Sequence, residues 1–188
     1  LNLQKFTANQ LLNHKAGSIV VMDNNSGEIL SMVSFPNFDA NLIVKKPNTD
    51  YWNSLLKNTL SPLTDRSVQG LYAPGSAFKM IVALAALKKG IINPSSKFSC
   101  KGKITYGDQL FHCWKTKGHG NMNIISAIQE SCDVFFYELA IKVGIDNIAE
   151  VAKDFGLGEV YPAKIGNQKK GIIPSKKWKK NNLKKNWY

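Results

Sequence analysis

The sequence predicts a mixed α/β domain of the α+β kind, in which a β-hairpin near the beginning precedes mostly helical segments. Three observations lead to this prediction. Alternating apolar residues flank a turn at residues 24–27, an apolar run follows Pro74 and Gly75, and three apolar segments between residues 121 and 156 are separated by turn residues. The chain has 188 residues, 44% of them hydrophobic, which is enough for one domain with a core.

The first forty residues predict a helix and a hairpin. Residues 18–23 and 28–34 have the pattern of two strands, and Asn-Asn-Ser-Gly at 24–27 is typical of the turn between them. A short helix over residues 1–12 would have one apolar side, formed by Leu3, Phe6, Leu11 and Leu12.

Capping residues and glycines divide the remaining segments. Residues 50–56 predict a short helix, residues 60–70 an extended approach to residue 76, and residues 98–111 a small irregular β segment. Helices are predicted over residues 123–130, 134–143 and 147–155. The second of these would end at Gly144, and Asp146 would be the N-cap of the third.

Ser76 and Lys79 stand at the start of an apolar helix that Gly90 ends. Positions three apart share a helix face, so Lys79 is expected on the same side as Ser76. A serine needs a neighbouring base to become a strong nucleophile, and a buried lysine can be that base. The alternative is an N-capping serine and a lysine that extends from a core helix to solvent.

A second serine lies in the break between two predicted helices. Ser131 and Asp133 flank Cys132 there. A serine in such a break can point its hydroxyl into a cleft. The alternative is that both residues only cap the adjoining helices.

Several stretches resemble the class B penicillin-binding proteins. Gly-Leu-Tyr-Ala-Pro-Gly-Ser-Ala-Phe-Lys at 70–79 is similar to the first active-site motif of that family. Three others resemble its penicillin-binding protein 2 branch, the elongation-specific transpeptidases: Phe-His-Cys-Trp-Lys at 111–115, Gly-His-Gly at 118–120 and Ser-Cys-Asp-Val-Phe-Phe-Tyr at 131–137. The family usually has asparagine at the position of Asp133, but this branch often has aspartate.

The resemblance implies a penicillin-binding transpeptidase or serine β-lactamase-like fold, with an antiparallel sheet and a helical lobe that carries the first two motifs. It divides the chain into a linker helix from a missing upstream domain, 1–16, and the N-terminal part of a transpeptidase domain, 17–188. The third motif of the family, Lys-Thr-Gly, occurs nowhere in the sequence. We therefore expect a fragment, truncated before that strand, that is catalytically weak or inactive and exposes an unpaired sheet edge.

The resemblance also implies a chemistry. Ser76 would be acylated by the D-Ala-D-Ala end of a peptidoglycan stem peptide or by a β-lactam, with Lys79 as its base. Ser131 would relay a proton to or from the leaving amine. Asp133 would hold Lys79 or the substrate amide, and in the first case it would favour a charged lysine over a free base. Backbone N–H groups, one of them that of Ser76, would hold the oxyanion.

The family's setting is the periplasmic face of the bacterial cytoplasmic membrane. Its members carry one N-terminal membrane anchor, and no apolar run here approaches the length that an anchor needs. The expected partners of the full-length form are membrane proteins of cell elongation. A β-lactam sensor or a class D β-lactamase-like protein is an alternative because both share Ser-x-x-Lys. A zinc-stabilised scaffold without catalysis is another.

The net charge is +12, and lysines concentrate near the end of the chain, at Lys169, Lys170, Lys176, Lys177, Lys179, Lys180, Lys184 and Lys185. Nucleic-acid modules usually interleave arginine and aromatic residues, and this segment has no arginine. We interpret it as a solvated face and expect no nucleic-acid partner.

Three cysteines and a histidine predict a structural zinc site, since they make a closed tetrahedral donor set. The ligands would be Cys100, Cys113, His119 and Cys132. The resemblance puts Cys132 inside the second motif and the other three in the loop beside it. The alternatives are a Cys100–Cys113 disulfide with Cys132 buried, and three free thiols. His112 is a second-choice ligand, and His14 is expected at the surface.

Overall fold

The structure, a computed structural model, describes residues 1–44, 49–162 and 165–187. It contains two compact units. One comprises Leu1–Tyr72 and Val160–Lys169, and the other comprises Ala73–Glu159 and Lys170–Tyr188. Within the described ranges, no helix has both the length and the apolar character that crossing a membrane requires.

The first unit is built on the predicted hairpin. Strands β1 (Gly17–Met22) and β2 (Ile29–Phe35) pair in antiparallel fashion. Asp23 stabilises the turn, because its carboxylate accepts hydrogen bonds from the backbone N–H groups of Asn25 and Ser26. The hairpin prediction is confirmed.

Helix α1 (Asn2–Leu11) forms as predicted but packs with a different side. Phe6 is 60% exposed, whereas Thr7 and Leu11 are buried. The Thr7 hydroxyl lies 2.6 Å from the hydroxyl of Ser31 on β2. The predicted apolar side is therefore confirmed at Leu11 and wrong at Leu3, Phe6 and Leu12, which are exposed. The polar contact of Thr7, which hydrophobic periodicity ignores, helps to set the orientation of the helix.

Three short helices complete the described part of this unit: α2 (Asn41–Val44), α3 (Thr49–Lys57) and α4 (Arg66–Gln69). Helix α3 confirms the helix predicted over residues 50–56. Helix α4 lies inside the segment predicted as extended. It forms because Asp65 is its N-cap, and the Asp65 side chain accepts a hydrogen bond from the backbone N–H of Ser67.

The second unit begins with the helix predicted at Ser76. A 3-10 turn, Gly75–Phe78, leads directly into helix α5 (Lys79–Lys88). Gly90 follows with a φ of 65°, a left-handed conformation that glycine adopts without steric cost. Ala85 on α5 is fully buried.

Four short strands follow: β3 (Phe98–Cys100), β4 (Lys103–Tyr106), β5 (Gln109–His112) and β6 (Gly120–Met122). Strand β3 pairs with β6 and β4 pairs with β5, both in antiparallel fashion. The irregular β segment predicted over residues 98–111 is confirmed. The pairing places Cys100 opposite Gly120, which brings the residues around 119 back to the end of β3.

The helices after residue 123 are α6 (Ile124–Gln129), α7 (Asp133–Val143) and α8 (Ile145–Asp154). Asn123 caps α6 through a capping box with Ser126. The predicted N-cap of α8 is wrong: Gly144 occupies that position, and Asp146 lies in the first turn. The Asp146 carboxylate instead accepts a hydrogen bond from the backbone N–H of Lys176.

The core of the second unit lies around α7, whose Val134, Phe135 and Leu139 are almost completely buried. Helices α5 and α8 pack against it. A further helix, α9 (Lys176–Leu183), begins at the side-chain cap Ser175. It forms part of the lysine-rich segment, for which no helix was predicted. Lys176, Lys177 and Lys180 on α9 are exposed, in keeping with a solvated face.

Candidate active site and metal cluster

Lys79 is held by three contacts with the turn between α6 and α7. Its Nζ donates hydrogen bonds to the Ser131 carbonyl at 2.8 Å, to Ser131 Oγ at 3.0 Å and to Asp133 Oδ1 at 2.6 Å. The side chains of Lys79 and Asp133 are only 15% and 23% exposed. The ion pair is therefore largely shielded from water. Removing one partner of such a pair destabilises the fold, because the other charge is left buried and unpaired.

The turn at Ser131 places the carbonyl oxygen and the hydroxyl oxygen of this residue within hydrogen-bond distance of Lys79 Nζ. Ser131 has a φ of 49°, in the left-handed region that residues other than glycine rarely adopt. Its backbone N–H donates to the Ile128 carbonyl, and that of Cys132 donates to the Ala127 carbonyl. This turn directs both the carbonyl and the hydroxyl of Ser131 toward Lys79. Such strained residues concentrate at functional sites.

Ser76 stands one turn before Lys79, exposed in the 3-10 turn. Its carbonyl accepts a hydrogen bond from the backbone N–H of Lys79. The Lys79 ammonium donates its hydrogen bonds to atoms of Ser131 and Asp133. The structure thus brings Lys79, Ser131 and Asp133 together and leaves the Ser76 hydroxyl accessible at the start of the same helix.

Trp114 also contacts this turn, and sequence reasoning assigned it no role. Its backbone N–H donates to Asp133 Oδ2 at 3.1 Å, and its indole Nε1 donates to the Glu130 carbonyl at 2.9 Å. The available signal was its place in the stretch 111–115, next to the candidate ligand Cys113.

The four predicted metal ligands converge. The donor atoms of these residues lie within 4.8 Å of one another in a largely buried cluster of Cys100, Cys113, His119 and Cys132. His119 Nδ1 lies 3.6 Å from Cys100 Sγ and 3.5 Å from Cys113 Sγ. All three thiols are free, so the structure contains no Cys100–Cys113 disulfide. Three sulfurs and an imidazole facing each other form the kind of donor set that structural zinc takes, and these residues fit the metal.

The thiols of this cluster differ in acidity. Burial raises the pKa of the Cys132 thiol to about 12. Burial also raises the pKa of Cys113, but hydrogen bonds from the backbone at Lys115, Val134 and Asp133, together with one from the Cys100 side chain, lower it by more. The pKa of Cys113 is therefore below its ordinary value, which favours the thiolate that metals bind.

The loop that carries His119 packs closely against the backbone of Cys100. Gly118 has a φ of 79°, and a Cβ at this position would overlap the Cys100 carbonyl oxygen. Glycine is therefore required for His119 to reach the sulfurs. His112 and His14 are exposed, as expected for His14. The His112 side chain is not one of the four clustered donors, so its second-choice role is not supported.

Comparisons with known proteins agree with this geometry. The family model described as the penicillin-binding protein transpeptidase domain matches residues 17–186. A curated relative, the peptidoglycan D,D-transpeptidase MrdA of Escherichia coli K12, is 33% identical over the full chain. The chain spans 30% of the length of that relative.

Two solved structures have the same fold as this chain. The crystal structure of Pseudomonas aeruginosa PBP2 in complex with WCK 5153 superposes with a TM-score of 0.93 at 33% identity, covering 100% of this chain and 43% of that one. The complex between PBP2 and MreC from Helicobacter pylori also gives 0.93 at 33% identity, covering 99% of this chain and 35% of that one. This chain belongs to the penicillin-binding protein transpeptidase domain family and is homologous to the MrdA and PBP2 proteins.

Proposed function

We propose that this chain carries the acyl-serine site of a peptidoglycan D,D-transpeptidase, with Ser76 as nucleophile and Lys79 as its base. The observation that carries the proposal is the contact of Lys79 with Ser131 and Asp133, which joins two motifs more than fifty positions apart. Serine acyl transfer requires a nucleophile, a base near it and a group that orients the base. In this proposal Ser76 and Lys79, three positions apart at the start of one helix, are the nucleophile and its base, and Ser131 and Asp133 orient the base through their contacts with Lys79.

The reaction has two steps. In the reacting form, Lys79 is the neutral amine, and the proton given up by its ammonium rests on Asp133 Oδ1, 2.6 Å from Nζ. In the first step, Ser76 Oγ bonds to the carbonyl carbon of the penultimate D-Ala while Lys79 takes the hydroxyl proton. The bond to the terminal D-Ala nitrogen then breaks, and that amine leaves with a proton delivered through Ser131, whose Oγ is 3.0 Å from Lys79 Nζ. In the second step, the amine of a neighbouring stem peptide attacks the ester. The cross-link forms, and Ser76 regains its proton.

The proposed ligands and setting follow from the family. Stem peptides ending in D-Ala-D-Ala would be the substrates, and β-lactams would acylate the same serine. The proposed site of action is the periplasmic face of the cytoplasmic membrane. The Helicobacter pylori relative forms a complex with MreC, which supports cell-elongation membrane proteins as partners. A β-lactam sensor or a class D β-lactamase is less favoured because the relatives named above are transpeptidases.

We also propose that Cys100, Cys113, His119 and Cys132 hold a structural zinc. When bound, zinc would tie the β3–β6 segment to the turn between α6 and α7, since Cys132 lies between Ser131 and Asp133. In this proposal the metal stabilises the fold and takes no part in the reaction. A scaffold role without catalysis is the alternative that the next experiment tests.

The function is tested in cells that depend on a chimera. The matching segment of Escherichia coli MrdA is replaced by this chain in cells depleted of MrdA, and cell shape is scored. We expect the chimera to restore rod shape and Ser76→Ala to abolish the restoration. Ser95→Ala, at an exposed loop serine, is the matched control and should have no effect. Restoration by Ser76→Ala would support the scaffold and overturn the catalytic proposal.

A further inference from the structure

Trp114 bridges both ends of the turn that holds Lys79. Its indole Nε1 donates to the carbonyl of Glu130, just before Ser131, and its backbone N–H donates to the carboxylate of Asp133, just after Cys132. Trp114 as a whole is 62% exposed, so its burial contributes little to stability. Its ring also meets that of His119 edge-on, with the centroids 5.2 Å apart, but only its two donors contact the turn that holds Lys79.

The Asp133 carboxylate has one oxygen for each neighbour. Oδ1 accepts from Lys79 and Oδ2 accepts from the Trp114 backbone. A carboxylate engaged through both oxygens is fixed in rotation as well as in position, as a supporting hydrogen bond fixes a catalytic side chain. Without the Trp114 donor, Asp133 could rotate, and the ammonium of Lys79 would lose a fixed partner.

We propose that Trp114 is a positioning residue for the Lys79–Asp133 pair. The indole anchors residue 114 to the turn, and this anchor keeps the backbone N–H on Asp133 Oδ2. The catalytic meaning of the inference rests on the proposed function, because Lys79 is the base of that reaction. The hydrogen-bond arrangement itself does not depend on it.

The first test distinguishes the contribution of the Trp114 indole N–H from that of its aromatic ring. The chain and its Trp114→Phe and Trp114→Ala variants are incubated with a range of penicillin concentrations, and intact mass gives the affinity and the maximal acylation rate. We expect Trp114→Phe to lower the maximal rate about tenfold, the effect of one lost hydrogen bond, while penicillin affinity changes less than twofold. Trp114→Ala should add little further loss. Trp178→Phe in α9 is the matched control and should acylate normally.

An acylation rate of Trp114→Phe equal to that of the unchanged chain would overturn the inference. A chain that penicillin never acylates would be the inactive fragment expected without Lys-Thr-Gly, and NMR alone would then decide the arrangement, while the chimera in cells still tests the proposed function. The NMR arm follows the ammonium signal of Lys79 and the hydrogen exchange of the Trp114 backbone amide.

In the NMR arm, Asp133→Ala should speed exchange of the Trp114 amide at least tenfold, because its acceptor is gone. Trp114→Phe should broaden or remove the Lys79 ammonium signal. The amide of Leu139 in α7 reports on the core and should stay protected in both variants. Unchanged Trp114 exchange in Asp133→Ala, or an unchanged Lys79 signal in Trp114→Phe, would overturn the inference.

Discussion

Lys79 Nζ lies 2.6 Å from Asp133 Oδ1, and both side chains are largely shielded from solvent. The ion pair of Lys88 and Asp154 has the same length, but each of its side chains is about half exposed, at 52% and 51%. The two pairs therefore form a matched comparison of burial at constant distance.

Asp133→Asn should lower the free energy of unfolding by about 1–2 kcal/mol, since it leaves a shielded ammonium without its counter-charge. Asp154→Asn should produce little change because water screens the exposed pair. Urea denaturation followed by circular dichroism measures both. Equal effects of the two substitutions would contradict the assignment of Asp133 as the buried partner of Lys79.

The cysteine and histidine cluster predicts about one zinc ion per chain in protein purified without chelators. Cys113→Ser should lose the metal and lower the melting temperature by roughly 6–12 °C, because a lost structural ligand costs several kcal/mol. Elemental analysis and thermal unfolding measure the two effects. A chelator should destabilise the unchanged chain but not the variant. Full stability of the unchanged chain in the chelator would contradict a structural metal.

Gly118 should be required for the metal site in a way that Gly107 is not. Both have positive φ, at 79° and 57°, but only a Cβ at Gly118 meets other atoms, those of the backbone around Cys100. Gly118→Ala should displace His119 and weaken zinc binding at least tenfold. Gly107→Ala should carry only the conformational cost of about 1 kcal/mol and keep the metal. Zinc competition with a chromogenic chelator distinguishes these outcomes.

The left-handed conformation of Ser131 predicts different stabilities for two substitutions that both remove the hydroxyl. Ser131→Gly should be more stable than Ser131→Ala by about 1 kcal/mol, because glycine adopts a φ of 49° without strain. Both should lose most acylation activity if Ser131 relays the proton. Denaturation curves and penicillin labelling measured together test this, and equal stability would contradict the observed turn.

Short-range patterns were sufficient to predict the elements that carry the site. The Pro-Gly break before Ser76 and the glycines after the apolar runs define helices because caps act locally. The hairpin followed from its turn residues in the same way. The proximity of Lys79 to Asp133, and of Cys132 to the other ligands, was expected only from a family resemblance, since no periodicity relates residues on separate elements that are 13 or more positions apart.

The predictions that were wrong depended on tertiary partners. Phe6 is exposed because Thr7 faces Ser31, and Asp146 accepts from the backbone of Lys176 instead of capping its own helix. Trp114 was missed for a related reason: one of its two donors is a backbone N–H, which every residue except proline has. The indole N–H is specific to tryptophan, but its acceptor at Glu130 is set by the fold, so the sequence offered only the place of Trp114 beside Cys113 as a signal.

Ser76 is the proposed nucleophile, and the most direct test of this role is to map a penicillin adduct. The chain is incubated for a prolonged time with excess penicillin, digested and analysed by mass spectrometry. We predict a slowly formed penicilloyl ester on the peptide that contains Ser76, and none on that peptide in Ser76→Ala. An adduct on a different residue, or the same adduct yield in Ser76→Ala, would contradict the assignment.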